Sequence, residues 1–167
     1  MGRFETGSED LLLGLSSLII RDAKQEDINK LLELLELLFS IEKDFKFDIK
    51  RQSRGLEMML DGCGKHRCVK VADIDGYVVG MATAQALIST AEGGVSVVVE
   101  DMVVSPDWQG RGVGKKLLED ITKWAKSRNA VRLSLLADKD NISAINFYNH
   151  IGWNKTNLIC LHKKSSR

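Results

Sequence analysis

A chain of 167 residues whose 24 Lys and Arg stand against 23 Asp and Glu carries a formal charge of +1. That length suits one domain with a sizeable core, and the balanced charge supplies no global field for nucleic acid. No apolar run approaches the roughly 20 residues that span a bilayer, so no membrane partner is expected. Three irregularly spaced cysteines suit neither a disulfide framework nor a zinc site. A reduced, cytoplasmic setting without a bound metal is expected.

In chain order, residues 1–16 read as an N-terminal extension to a single domain over 17–167. The apolar stretch LLLGLSSLII (11–20) follows Glu9 and Asp10 and lacks both a basic region and a cleavage pattern. It therefore reads as an ordered segment rather than a signal peptide. A strand is expected over 17–23, then a helix over about 25–43 starting near Asp27. A second helix follows over 48–60 and ends at Gly62. A strand over 67–74 turns at Asp75-Gly76, a strong hairpin signal, into a strand over 77–88. A loop over 89–94 leads to the Val-rich strand VSVVVEDMVV (95–104).

Next comes a glycine-rich turn. The helix after it carries Val113, Leu117, Ile121 and Trp124 at three- and four-residue spacing. A strand over 131–137 follows. Asp140 or Asn141 can cap a helix over 142–151, which Gly152 stops. A strand over 157–163 closes the sheet. The order is β-αα-βββ-α-β-α-β, an α/β (α+β) fold with a mixed, mostly antiparallel sheet flanked by helices.

The first helix carries two apolar stripes. Ile28, Leu31, Leu32, Leu35, Leu38 and Phe39 form one, and Leu34, Leu37 and Ile41 the other. One buried face does not account for two stripes. The second is expected to pack on Leu11–Leu15 or on another subunit, giving a homodimer.

The turn reads Gln109-Gly110-Arg111-Gly112-Val113-Gly114. A helix start exposes unpaired N–H groups at the positive end of a dipole, and glycines let a ligand approach the backbone. Together they make an anion site. The spacing fits neither a P-loop nor a dinucleotide fingerprint. The form Q-x-x-G-x-G resembles the pyrophosphate-binding motif of the GNAT superfamily of acyl-CoA-dependent acyltransferases. A second patch, Asn141 to Tyr148 followed by Gly152-Trp153, resembles the N-x-x-A-x-x-F-Y-x-x-x-G-[FW] signature of the same superfamily. The element order matches too.

The resemblance implies acetyl transfer from acetyl-CoA, the co-substrate, to an amine. It implies that backbone amides of Gln109, Gly110, Arg111, Gly112, Val113 and Gly114 grip the pyrophosphate, with Arg111 and Lys115 as charge partners. Met102, Val103 and Val104 would offer backbone groups to pantetheine. Asn141 would bind the same arm or cap its helix. An amine of pKa near 10 must lose a proton before it attacks. Glu100 and Asp101 stand in an apolar strand, and alternation sends them to opposite faces. The stretch Glu100-Asp101-Met102 is similar to polyamine-acetylating members, which selects Glu100 as the base. Tyr148 is the expected acid for the leaving thiolate, beside the cofactor. The acceptor is expected to be a small amine: an amino acid, a diamine or a polyamine-like molecule. Alternatives are a protein N-terminus or lysine side chain as acceptor, or a non-catalytic acyl-CoA sensor.

Overall fold

Strand-forming Val and Ile runs separated by turn residues build a five-stranded sheet in the order β1-β2-β3-β4-β5. In the computed structural model, which describes residues 17–42 and 44–163, the elements are β1 (Leu18–Asp22), α1 (Ile28–Ile41), α2 (Ile49–Asp61), β2 (Arg67–Ile74), β3 (Tyr77–Ser89), β4 (Gly94–Val104), α3 (Val113–Lys126), β5 (Ala130–Leu135) and α4 (Ile142–His150). The first four strands pair antiparallel in sequence order. Asp75 and Gly76 both have positive φ, 52° and 84°, as the two-residue hairpin turn between β2 and β3 requires. The described residues fall into two compact units, divided between Ser134 and Leu135. The segment 1–16, with its expected contact through Leu11–Leu15, lies outside the described residues.

Within the first unit, each face of the sheet has its own helices. On one face Leu31, Leu32, Leu34 and Leu35 of α1 and Leu56 of α2 bury against Val69, Val71, Val78, Met81 and Val103. On the other, α3 buries Val113, Leu117, Leu118, Ile121, Trp124 and Ala125. The row Gly80, Ala82, Ala84 of β3 runs under α3, where small residues let the helix approach. A side chain on Gly80 would meet Leu117 of α3 at 3.4 Å and the Val103 carbonyl at 3.1 Å. Lys70, opposite Ala82, reaches from the same face to Asp120 of α3 at 3.0 Å and to Asp22 at 2.8 Å. Burial works against its charge, but the two carboxylates outweigh that cost and raise its pKa.

Two expectations are corrected here. The second stripe of α1 is covered within the chain: Leu34 is 2% exposed and belongs to the same core as Leu31, and Leu37 packs against that core. The reason is that α1 has two neighbours, the sheet and α2. Of that stripe only Ile41 is exposed. The expected closing strand over 157–163 is not formed. Leu158, Ile159 and Leu161 there are 84%, 81% and 83% exposed. An apolar run can favour extended backbone, but a strand also needs a neighbouring edge to bond with, which no local pattern guarantees.

The second unit contains α4. The Asn141 side-chain oxygen accepts from the Ala144 N–H at 3.1 Å and so caps the helix. At the other end Gly152 takes φ 92°. The Trp153 N–H bonds the Tyr148 carbonyl at 2.9 Å, and the Gly152 N–H bonds that of Asn149 at 3.1 Å. This left-handed cap explains the stop.

Candidate active site

The glycine turn begins where β4 ends. A short 3-10 turn over Pro106–Trp108 leads into it. Gly110 and Gly112 take φ 71° and 81°, on either side of Arg111. A β-carbon on either glycine would touch nothing within 4 Å. Backbone conformation, rather than crowding by the protein, therefore calls for glycine at both positions. Gly112 is the N-cap of α3, and the first helical bond runs from the Lys116 N–H to the Gly112 carbonyl at 3.1 Å. Among the described residues, no backbone or side-chain acceptor takes the amides of residues 110–115. A run of unspent N–H groups at a helix start, beside open space, fits a phosphate group.

Other expected cofactor residues take narrower parts. The Gln109 N–H bonds the Pro106 carbonyl at 3.2 Å, so it is spent on the turn. The Gln109 side chain donates to the Val104 carbonyl at 2.9 Å, tying the turn to the strand. Val113 is 1% exposed, which leaves only its N–H for a ligand. The Arg111 guanidinium lies over the Trp108 ring, 5.0 Å from its centroid. Lys115 is exposed, 3.9 Å from Glu119 one turn along.

The strand register sorts the rest. The Ser105 N–H bonds the Val79 carbonyl at 2.8 Å. In an antiparallel ladder the hydrogen-bonded pairs then recur at every second residue, so Val103 is spent on Met81. The backbone groups of Met102 and Val104 face away from β3, and the Val104 carbonyl is the one Gln109 takes.

The acidic pair departs from simple alternation. Ala82 pairs with Met102 but Ala84 pairs with Val99. Glu100 and Asp101 together therefore stand opposite Thr83, which is a β-bulge. Val99 belongs with Ala84 on the α3 face, so Glu100 turns to the face of α1 and α2. Val103 lies on that face too, and counting back two residues puts Asp101 there as well. The extra residue brings both carboxylates to one face, correcting the expectation that they diverge.

Their surroundings differ. Glu100 is exposed. Asp101 is half-buried, and its carboxylate accepts from the Thr83 hydroxyl at 2.8 Å. Burial pushes the Asp101 carboxyl above the ordinary range, the Thr83 hydrogen bond pulls against that, and the charge of Glu100 adds to the rise. The local sequence of β4 selects Glu100 over Asp101. The signal that separates the two, a buried hydroxyl across the sheet, lies 18 residues away in the chain.

In the second unit, Tyr148 is flanked by Phe147 and Trp153, with ring centroids 5.3 Å and 6.3 Å away. The Tyr148–Trp153 contact is the apolar pairing that accompanies the Gly152 cap. The F-Y-x-x-x-G-W pattern thus has a local structural meaning.

The model of the acetyltransferase (GNAT) family matches residues 28–153. YobR of Bacillus subtilis, an uncharacterized N-acetyltransferase, is 35% identical over 69 residues, 38% of this chain and 28% of YobR. The chain spans less than half the length of the first relatives it matches. Thialysine N-epsilon-acetyltransferase of Mus musculus is 26% identical over 149 residues, 83% of this chain and 85% of that protein. Among solved structures, aminoglycoside N-acetyltransferase AAC(6')-Iy in complex with CoA superposes with a TM-score of 0.75 at 18% identity, over 89% of this chain and 95% of that one. At that identity the likeness establishes a shared fold.

Proposed function

The chain belongs to the acetyltransferase (GNAT) family, and from that premise we propose that it moves an acetyl group from acetyl-CoA to a primary amine of a small molecule, such as an amino acid, a diamine or a polyamine-like acceptor. One observation carries this reading. A single strand–turn–helix segment holds a carboxylate pair at a bulge, followed by a run of unspent amides. The first can take up a proton from a cationic acceptor, and the second can bind phosphate. The relative named for the epsilon nitrogen of thialysine supports a small amine as acceptor.

Acetyl-CoA supplies an acetyl carbon bonded to sulfur, so amide formation breaks the carbon–sulfur bond and leaves a thiol. The amides of residues 110–115 hold the pyrophosphate, with Arg111 and Lys115 adding charge. Met102 and Val104, with backbone groups facing away from β3, contribute to the pantetheine arm. Glu100 and Asp101 meet the ammonium group. Tyr148 donates the proton that the sulfur gains, and Asn141 caps the helix that carries it. A cytoplasmic setting is part of this proposal and rests on three free thiols. The best buried of them, Cys68, has its pKa pushed up by burial to about 12, which suits an inert core thiol. A homodimer would use a face other than Leu34 and Leu37.

Thiol release from acetyl-CoA with a panel of diamines, amino acids, aminoglycosides and lysine peptides tests the reading. Turnover is expected with a small amine. Cofactor binding without release for any amine would mark a sensor, and release only with peptides would mark a protein acetyltransferase. Tyr148→Phe is expected to lower turnover about tenfold or more at neutral pH while calorimetry shows acetyl-CoA affinity near that of the wild type. A wild-type rate would remove Tyr148 as the proton donor.

A further inference from the structure

The two carboxylates at the bulge are not equivalent, and their inequality resolves into separate tasks. We infer that Asp101, pinned by Thr83, is the group that takes the proton from the acceptor amine, and that Glu100 only draws the cation in. The inference rests on the proposed acetyltransferase reading.

Thr83 is 1% exposed, within the buried run 78–84 of β3, where its neighbours are apolar or small. A hydroxyl so placed needs partners, and it finds two on one residue. It donates to the Asp101 carboxylate at 2.8 Å and accepts from the Asp101 N–H at 3.1 Å. That pair of bonds spans the bulge. The N–H bond fixes the backbone at the extra residue, and the carboxylate bond fixes the side chain above it. Asp101 is thereby held on the face of α1 and α2 with one oxygen bonded to Thr83, and no hydrogen bond from another described residue holds the other oxygen.

Glu100 has a different character. It is exposed, with a longer side chain, and no hydrogen bond of its side chain to another described residue fixes it. A general base works by geometry first: it must lie within hydrogen-bonding reach of the proton and stay there. A mobile, hydrated carboxylate attracts a cation but positions it poorly. Burial also brings the proton affinity of Asp101 nearer to that of an amine, with Glu100 the charged neighbour that adds to this.

The step balances simply. One N–H bond of the ammonium breaks and an O–H bond forms on Asp101. The electron pair stays on nitrogen, which becomes the nucleophile. Asp101 then returns its proton to solvent. Thr83 acts through Asp101 and is a positioning residue.

The test uses the full chain and the best amine from the panel. Asp101→Asn is expected to lower kcat about a hundredfold with acetyl-CoA affinity retained. Glu100→Gln is expected mainly to raise the KM for the amine. Thr83→Val is expected to lower kcat about tenfold or more, and Thr83→Ser, which keeps the hydroxyl, to restore most of it. A readout independent of turnover is the carboxyl carbon-13 titration of Asp101 in the protein alone, with the resonance assigned by its loss in Asp101→Asn. Its midpoint should move up in Thr83→Val, where a stabilising hydrogen bond is lost, and stay near the wild-type value in Thr83→Ser. Thermal melts identify any variant that fails to fold, and Asp101→Asn, similar in shape, then carries the kinetic arm. Wild-type kcat in Asp101→Asn, with Glu100→Gln carrying the kcat loss, would overturn the inference and leave the acetyltransferase reading intact. An unmoved titration midpoint in folded Thr83→Val would overturn the role of Thr83. No acetyl transfer to any amine by the wild type would overturn the acetyltransferase reading and this inference with it.

Discussion

Gly112→Val is expected to weaken acetyl-CoA binding about tenfold or more while the protein still folds. Gly112 has φ 81° and ψ 1°, the left-handed region, at the N-cap of α3. For a residue with a β-carbon that region costs about 1–2 kcal/mol, and a β-branched side chain is a poorer fit still. No neighbour lies within 4 Å of the new β-carbon, so the cost comes from the backbone and not from a clash. The turn can relieve it by rotating φ, which swings the amides of residues 112–114 away from their common direction. Each 1.4 kcal/mol lost from those hydrogen bonds is tenfold in affinity. Folding is less affected because Gly112 is exposed and outside both cores. Calorimetry with acetyl-CoA, beside a thermal melt, measures both effects. Unchanged affinity in a folded Gly112→Val protein would remove the turn as the phosphate grip.

Arg21→Met is expected to destabilise the fold by about 3–5 kcal/mol near neutral pH, the scale for removing one partner of a buried ion pair. Arg21 binds Asp27 through two nitrogens, at 2.8 and 2.9 Å, and Asp73 through a third at 2.8 Å. The two carboxylates are 7% and 8% exposed. Both also hold backbone amides. Asp27 accepts from the Lys24 N–H at 2.7 Å, and Asp73 from the Gly76 N–H at 2.7 Å. One guanidinium thus joins β1, the entry to α1 and the β2–β3 hairpin. Methionine fills similar volume but leaves two buried charges without it.

The pH dependence follows in sign. The Arg21 hydrogen bonds hold the Asp27 carboxyl below its ordinary value of 3.8, outweighing burial. A depressed carboxylate adds stability that is fully present above the unfolded pKa and is lost as pH falls through the folded one. The gap between wild type and Arg21→Met should therefore be full at pH 7 and shrink below about pH 4. Urea unfolding at several pH values measures it. A gap that stays constant into acid would mean that packing, rather than the ion pair, accounts for the loss.

Much of the candidate site is readable along the chain because its signals are local. The φ values of Gly110, Gly112 and Gly152 are properties of single residues, and glycine adopts them without cost. The apolar period of α3, the Asp75-Gly76 turn and the Asn141 cap each involve neighbours a few residues apart. Such features survive being read one segment at a time, and so does the resemblance built on them. What the chain in isolation left undecided depends on who stands opposite whom. Alternation along β4 sends Glu100 and Asp101 apart, and only the register against β3 adds the extra residue that brings them together. The periodicity of α1 shows two apolar stripes but not that α2 and the sheet share them. The apolar run over 157–163 reads like a strand, yet strand formation needs a ladder partner, and a partner is a property of the fold. Thr83 carries no motif, and its significance appears only when a buried hydroxyl meets a carboxylate from the next strand. The division follows from range: conformational preferences act over one helical turn or one hairpin, whereas burial, ion pairing and strand register are set by contacts between residues far apart in the chain.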